Sequence, residues 1–205
     1  MADQDSMRSE FRQIVSSAFG SPDQAQHNVR GTMEQVEAMK RLDAGLKDLS
    51  CRQDSIPLAT SWIDYASKAS DPYLLWGGGA ILEAVASNPR VWLSAESWVR
   101  RAACTTLLSA SATCNLLQSS WINSKIERAL GTVVVHEWPG NFEELAPTIS
   151  KGFQESHPRL ILLATIVMSR AAELTGGTKG GGNIRKFGLV SMTRRQELLE
   201  GLKAF

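Results

Sequence analysis

The chain has 205 residues, 43% of them hydrophobic and 21% charged, with a formal net charge of +1. That length suffices for one good core or for two small helical lobes sharing a hinge. Near-neutrality excludes a global field that would draw in nucleic acid, so any polyanion site must be a local patch.

In chain order, the pattern predicts an all-α protein. A first helix is expected over Ser6–Phe19, with Ser6 as N-cap and Met7, Phe11, Ile14, Val15 and Ala18 on its apolar face. Gly20 stops it and makes residues 1–20 a hinged N-terminal element, with 21–205 as the helical core. Such a helix either folds back on its own core or serves as an exchange arm, docking Phe11, Ile14, Val15 and Phe19 on a neighbouring subunit. Ser21-Pro22 supplies an N-cap and first-turn proline for a second helix. Its apolar stripe is Val29, Met33, Val36, Met39, Leu42, Leu46 and Leu49, opposite a charged, solvated face.

A shorter helix is expected around Leu58–Ala69, presenting Trp62, Ile63 and Tyr65. Ser70-Asp71-Pro72 starts another at Tyr73, where Gly77-Gly78-Gly79 predicts a break or a tight helix–helix approach. Ser94 is expected to cap a long helix that runs towards Leu130 and opens with Trp98, Arg100 and Arg101. The core thus divides, if into lobes, at 21–93 and 94–205. Residues 102–124 carry no charge, but their many Ser, Thr and Asn side chains favour a packed central helix over a membrane span.

Gly131 is expected to end that helix, and Thr132–Trp138, with three consecutive valines, has the composition of a strand or extended connector. Helices at Phe142–Phe153 and after His157-Pro158 follow, the latter with Leu160–Met168 nearly all apolar. Gly176, Gly177, Gly180, Gly181 and Gly182 predict a mobile loop. The last amphipathic helix starts near Ser191. No internal repeat is visible.

Little in this sequence suggests catalysis. The three cysteines, Cys51, Cys104 and Cys114, are spaced for neither a zinc site nor a disulfide framework. They are expected to be reduced, buried small hydrophobes of a cytosolic protein. The acidic, polar start Met1-Ala2-Asp3-Gln4-Asp5 predicts no signal peptide. His27, His136 and His157 each lack a second ligand at helical spacing, so no metal is expected. His136-Glu137 has the composition of an acid–base pair, but no nucleophile sits in a recognisable elbow. Gly176-Gly177-Thr178-Lys179-Gly180 lacks the order of a phosphate-binding loop and follows a helix instead of a strand. Neither an enzymatic site nor a cofactor is therefore expected.

Charge is unevenly placed. Residues 1–50 hold six Lys/Arg against eight Asp/Glu, a net −2; residues 179–205 hold six against two, a net +4. A basic, glycine-flanked segment suits a phosphate backbone, and Arg100-Arg101 beside Trp98, like Arg90 beside Trp92, puts arginines next to rings on which a base could stack. An ordinary solvated tail with core tryptophans explains the same residues. The acidic–basic polarity also suits head-to-tail self-association.

The order Met168-Ser169-Arg170, the Gly/Thr/Lys loop, then Arg185-Lys186-Phe187-Gly188-Leu189-Val190 and a closing amphipathic helix resembles the C-terminal lobe of phlebovirus-type nucleoproteins, over about residues 140–205. Coat proteins of filamentous plant RNA viruses use related helical designs. The resemblance implies a nucleocapsid or coat protein of the virion and host cytoplasm that binds single-stranded RNA without sequence preference and forms homo-oligomeric filaments or rings. Arg90, Arg100, Arg101, Arg170, Lys179, Arg185 and Lys186 would then contact phosphate, and Phe11, Ile14, Val15 and Phe19 would mediate assembly. The chain is shorter than those nucleoproteins and lacks their dense central Lys/Arg cluster. The alternative is a non-enzymatic helical adaptor, or a virulence or suppressor protein, acting through protein–protein binding. Neither reading requires a membrane or a small-molecule substrate.

Overall fold

The computed structural model describes residues 2–20, 32–113 and 120–156, with isolated positions further on, and every regular element among these is an α-helix. In chain order they are α1 (Ala2–Phe19), α2 (Met33–Leu49), α3 (Ser55–Ala69), α4 (Pro72–Ala86), α5 (Pro89–Ser94), α6 (Ser97–Thr113), α7 (Ser120–Glu137) and α8 (Leu145–Gln154). The expected helix start at Pro22, Cys114, the glycine run and the basic segment from Lys179 lie outside the described residues.

Local chemistry sets the helix starts. Thr32 closes a capping box on α2: its hydroxyl accepts from the Gln35 N–H while the Gln35 side chain accepts from the Thr32 N–H. Between α3 and α4 the chain turns in two residues. Ser70 takes the left-handed conformation at φ 53°, and the Asp71 carboxylate then accepts from the N–H groups of Tyr73 and Leu74, with Pro72 in the first turn of α4. The buried Asp71 is also paired with Arg12 of α1 at 3.3 Å, and the Tyr73 hydroxyl donates to the Gly20 carbonyl at 3.0 Å. One short turn therefore stops α3, starts α4 and anchors α1.

These short connections produce stacked hairpins. α3 packs on α4 and α6 on α7; in addition α3 lies against α6, and α4 against α7. α3, α4, α7 and α6 thus close into a four-helix ring, with α4 shared between this unit and the α1–α2 pair. The α1–α2 pair leans on α4. A single buried cluster runs from Phe11 through Trp62, Ile81, Leu107, Ile126 and Phe142, crossing residue 93.

The three successive glycines make that stacking possible. α4 continues unbroken through them, and each faces a different helix, because consecutive residues point about 100° apart. A Cβ on Gly77 would lie 2.5 Å from the Phe11 ring of α1; on Gly78, 2.5 Å from Ile63 Cγ1 of α3 and 2.9 Å from the Ala59 carbonyl; on Gly79, 3.0 Å from Ile126 Cδ1 of α7. Of the two expectations for this run, close approach is realised and a break is not.

Four other expectations are corrected. Thr132–Trp138 is no strand: α7 passes through Gly131 to Glu137, because Ile122, Ile126, Ala129, Leu130, Val133 and Val134 bury a helical face, which overrides valine's preference for strands. The long helix from Ser94 is instead α5, α6 and α7, since Ala95 is extended and Ser94 ends the short α5. The apolar stripe of α2 is only partly used: Leu42 is buried and Leu46 and Leu49 pack against the core, whereas Met33 is 88% exposed and Val36 and Met39 also face solvent. Cys51 is exposed, although Cys104 is buried as expected.

Of the two expectations for the first helix, its apolar face belongs to the chain's own core. Phe11 and Val15 are buried, and Ile14 packs against the same cluster. Phe11 meets Trp62 at 4.9 Å, and Phe19 meets Trp76 at 4.9 Å and Trp121 at 5.1 Å.

Gly78→Ala should lower the unfolding free energy by about 1–2 kcal/mol, because crowding against a backbone carbonyl outweighs the gain in helix propensity. At Gly45, where an added methyl group would have nothing within 4 Å, the same change should stabilise by about 1 kcal/mol. Urea denaturation of the two variants measures both.

Candidate binding surface at the α5–α6 corner

The sequence places Arg90, Arg100 and Arg101 beside aromatic rings, and the structure separates their roles. In the first turns of α6, helical geometry points Arg100 inwards and Arg101 outwards. Arg100 Nε donates to the Glu137 carboxylate at 2.8 Å, with Glu137 1% exposed. The same oxygen accepts from the Trp92 indole at 2.7 Å, and the other accepts from the Asn141 amide. The second arm of the guanidinium donates to the carbonyls of Ala95 and Leu93. Asn141 in turn bonds Ser97. One buried carboxylate therefore binds α5, α6 and the end of α7 together, its charge compensated and its oxygens occupied, as burial requires.

Arg101 lies on the surface and is paired with Glu144. The Arg101 hydrogen bond holds the Glu144 carboxyl below its ordinary pKa. Arg90 is exposed on α5 and has no ion pair among the described residues. Between them the corner presents Leu93 and Trp98, the latter 68% exposed, with the Trp98 indole donating to Glu96. The ring is available for stacking, but its immediate partner is a carboxylate, and Glu143 and Glu144 flank Arg101. Of the seven arginines and lysines assigned to phosphate, Arg90 is open, Arg100 is committed inside the protein and Arg101 is paired. Arg170, Lys179, Arg185 and Lys186 fall outside the described residues.

His136 and Glu137 are neighbours in sequence with different partners. The His136 ring nitrogen Nε2 lies 2.9 Å from the Ala86 carbonyl, while Glu137 serves Arg100, Trp92 and Asn141. Among the described residues no three His, Cys, Asp or Glu side chains gather to hold a metal, and no helix is long and apolar enough to cross a membrane. Burial pushes the Cys104 thiol well above its ordinary pKa, with Glu137 adding to the effect, which makes it a poor nucleophile.

Two features leave no signal that sequence reasoning could use. The first is Glu83 of α4, which bridges Lys125 at 2.8 Å and Arg128 at 2.9 Å on α7, with Lys125 over the Trp76 ring. A separation of 42 residues hides the Glu83–Lys125 pairing from any local pattern. The second is the exposed apolar row of α2, whose helical spacing is the same as that of a core-facing stripe.

No protein-family model matches the chain, and neither the curated proteins nor the solved structures searched give a significant match.

Arg100→Ala should cost about 3 kcal/mol in urea denaturation, because it leaves Glu137 buried without its counter-charge; Arg101→Ala should leave the midpoint unchanged. Iodoacetamide on the folded protein should alkylate Cys51 and spare Cys104, with Cys104 reacting once the chain is denatured; peptide mass mapping gives the result.

Proposed function

We propose that the chain is a non-enzymatic helical scaffold that acts by binding other proteins. The observation that carries this reading is the set of large apolar side chains that the compact helical core leaves in solvent. They are Met33, Val36 and Met39 on α2, with Leu93 and Trp98 at the α5–α6 corner. Exposed aromatic and methionine side chains are over-represented where proteins meet.

A second reading, an RNA coat protein, is supported by Trp98 and the open Arg90 lying within one corner, together with the +4 charge of residues 179–205. In that reading Arg90, Arg101, Arg170, Lys179, Arg185 and Lys186 pair with phosphates, and copies of the chain associate along the strand. The scaffold reading is preferred because Arg100 is spent on Glu137, Trp98 sits beside Glu96, and Phe11, Val15 and Phe19 are occupied within the chain.

Fluorescence anisotropy with labelled single-stranded RNA in dilute buffer, alongside light scattering and the ratio of absorbance at 260 and 280 nm, separates the two. A monomer or dimer, free of nucleic acid and indifferent to RNA, is the expected result. Tight, salt-dependent RNA binding with rings or filaments by negative-stain microscopy, weakened by joint Arg185→Ala and Lys186→Ala substitution, would overturn the scaffold reading in favour of the coat protein.

A further inference from the structure

The outward face of α6 is formed by Trp98, Ala102, Thr105 and Ser109, which recur at helical spacing and are all exposed. A solvent face of this length ordinarily carries charge. Here no Asp, Glu, Lys or Arg follows Arg101 in the helix, and Arg101 at the border is paired with Glu144. Trp98 stands at one end of the face, 68% exposed. Its indole is tethered to Glu96, and the Arg100–Glu137 pair fixes the turn beneath it, so the ring is held outward in one place. The helix also lacks the charges that usually offset its dipole. It opens without an acidic residue in its first turn and with Arg100 and Arg101 close behind, and its last turn holds no basic residue.

We infer that this face is a self-association surface, on which a second copy of the chain lays its own α6 antiparallel about a two-fold axis. Charge and volume together choose this occupant. A charged partner helix would give up the hydration of its side chains against a face that offers no counter-charge. A second α6, reversed, brings no such charge. It sets the arginine-bearing N-terminal end of each helix beside the partial negative charge at the C-terminal end of the other. Reversal also matches size. With Ala102 opposite Thr105 of the second copy, each Trp98 ring lies over the small Ser109 of the other, and symmetry makes that contact twice. A parallel pair would set the two tryptophans against each other and hold the smaller positions apart. The pairing goes beyond the scaffold reading, which is compatible with a monomer or a dimer.

Analytical ultracentrifugation of the full chain across a dilution series tests it. The parent should sediment as a dimer that dissociates on dilution. Trp98→Ser should raise the dissociation constant by about tenfold or more, through loss of the anchoring ring. Ser109→Trp should do the same, by setting one ring against another. Combined in one chain, the two substitutions exchange the large and small ends, and dimerisation should return towards that of the parent. Met33→Asp, on the exposed row of α2, should leave it unchanged. All three side chains are exposed, so circular dichroism of each variant should match the parent. A strict monomer, or a dimer indifferent to Trp98→Ser, overturns the inference. So does a dimer strengthened by Ser109→Trp, a double variant no tighter than the single ones, or a dimer lost in Met33→Asp, which would assign the contact to α2. A strict monomer that ignores RNA rejects this pairing and leaves the scaffold reading standing; RNA binding with filaments rejects the scaffold reading itself.

Discussion

Three adjacent glycines in one helix are the constraint on which the described fold depends. Gly77, Gly78 and Gly79 remove the side chains of α4 at one level, and Phe11, Ile63 and Ile126 from three other helices occupy the space. Helix propensity argues against such a run by about 1 kcal/mol per glycine. Burial on every side compensates, since α4 is the central element on which α1, α2, α3 and α7 all pack. With ordinary side chains there, the helices could not approach to the same distance.

A second level of organisation is electrostatic. Glu137 and Glu83 each hold residues from elements distant in sequence, Glu137 gathering Trp92, Arg100 and Asn141, and Glu83 gathering Lys125 and Arg128. The two differ in burial. Glu137 is almost sealed, so its value lies in orientation: the guanidinium that compensates it also holds the carbonyls at the bend between α5 and α6. That bend is what turns Trp98 and Leu93 outwards. The exposed corner is thus a product of the buried pair behind it.

Much of this was legible in the residues, and the exceptions are instructive. The Ser70-Asp71-Pro72 start signal worked because capping is local chemistry, complete within four residues. The valine run at 133–135 misled because strand preference is weak beside the burial of one helical face against α4. Arg100-Arg101 looked like a basic patch in one dimension; on a helix, neighbours point about 100° apart, and one of the two was bound to be drawn inwards once an acid lay opposite. The partner, Glu137, is 37 residues away, beyond any local pattern. The stacking of hairpins left no trace as a sequence repeat, since it requires only matched helix lengths and short turns. On α2, the exposed Met33, Val36 and Met39 were indistinguishable by spacing from core positions.

The glycine belt also fixes how this protein can drift over time. Each glycine is matched to one particular neighbour: 77 to Phe11, 78 to Ile63, 79 to Ile126. A methyl group gained at 77 or 79 can be absorbed by trimming the side chain that faces it, so substitutions there should travel in pairs joining segments far apart in the chain, whereas at 78 the Ala59 carbonyl closes that route. Ancestry in such a molecule is written less in shared identities than in two correlated exchanges of volume around one fixed glycine.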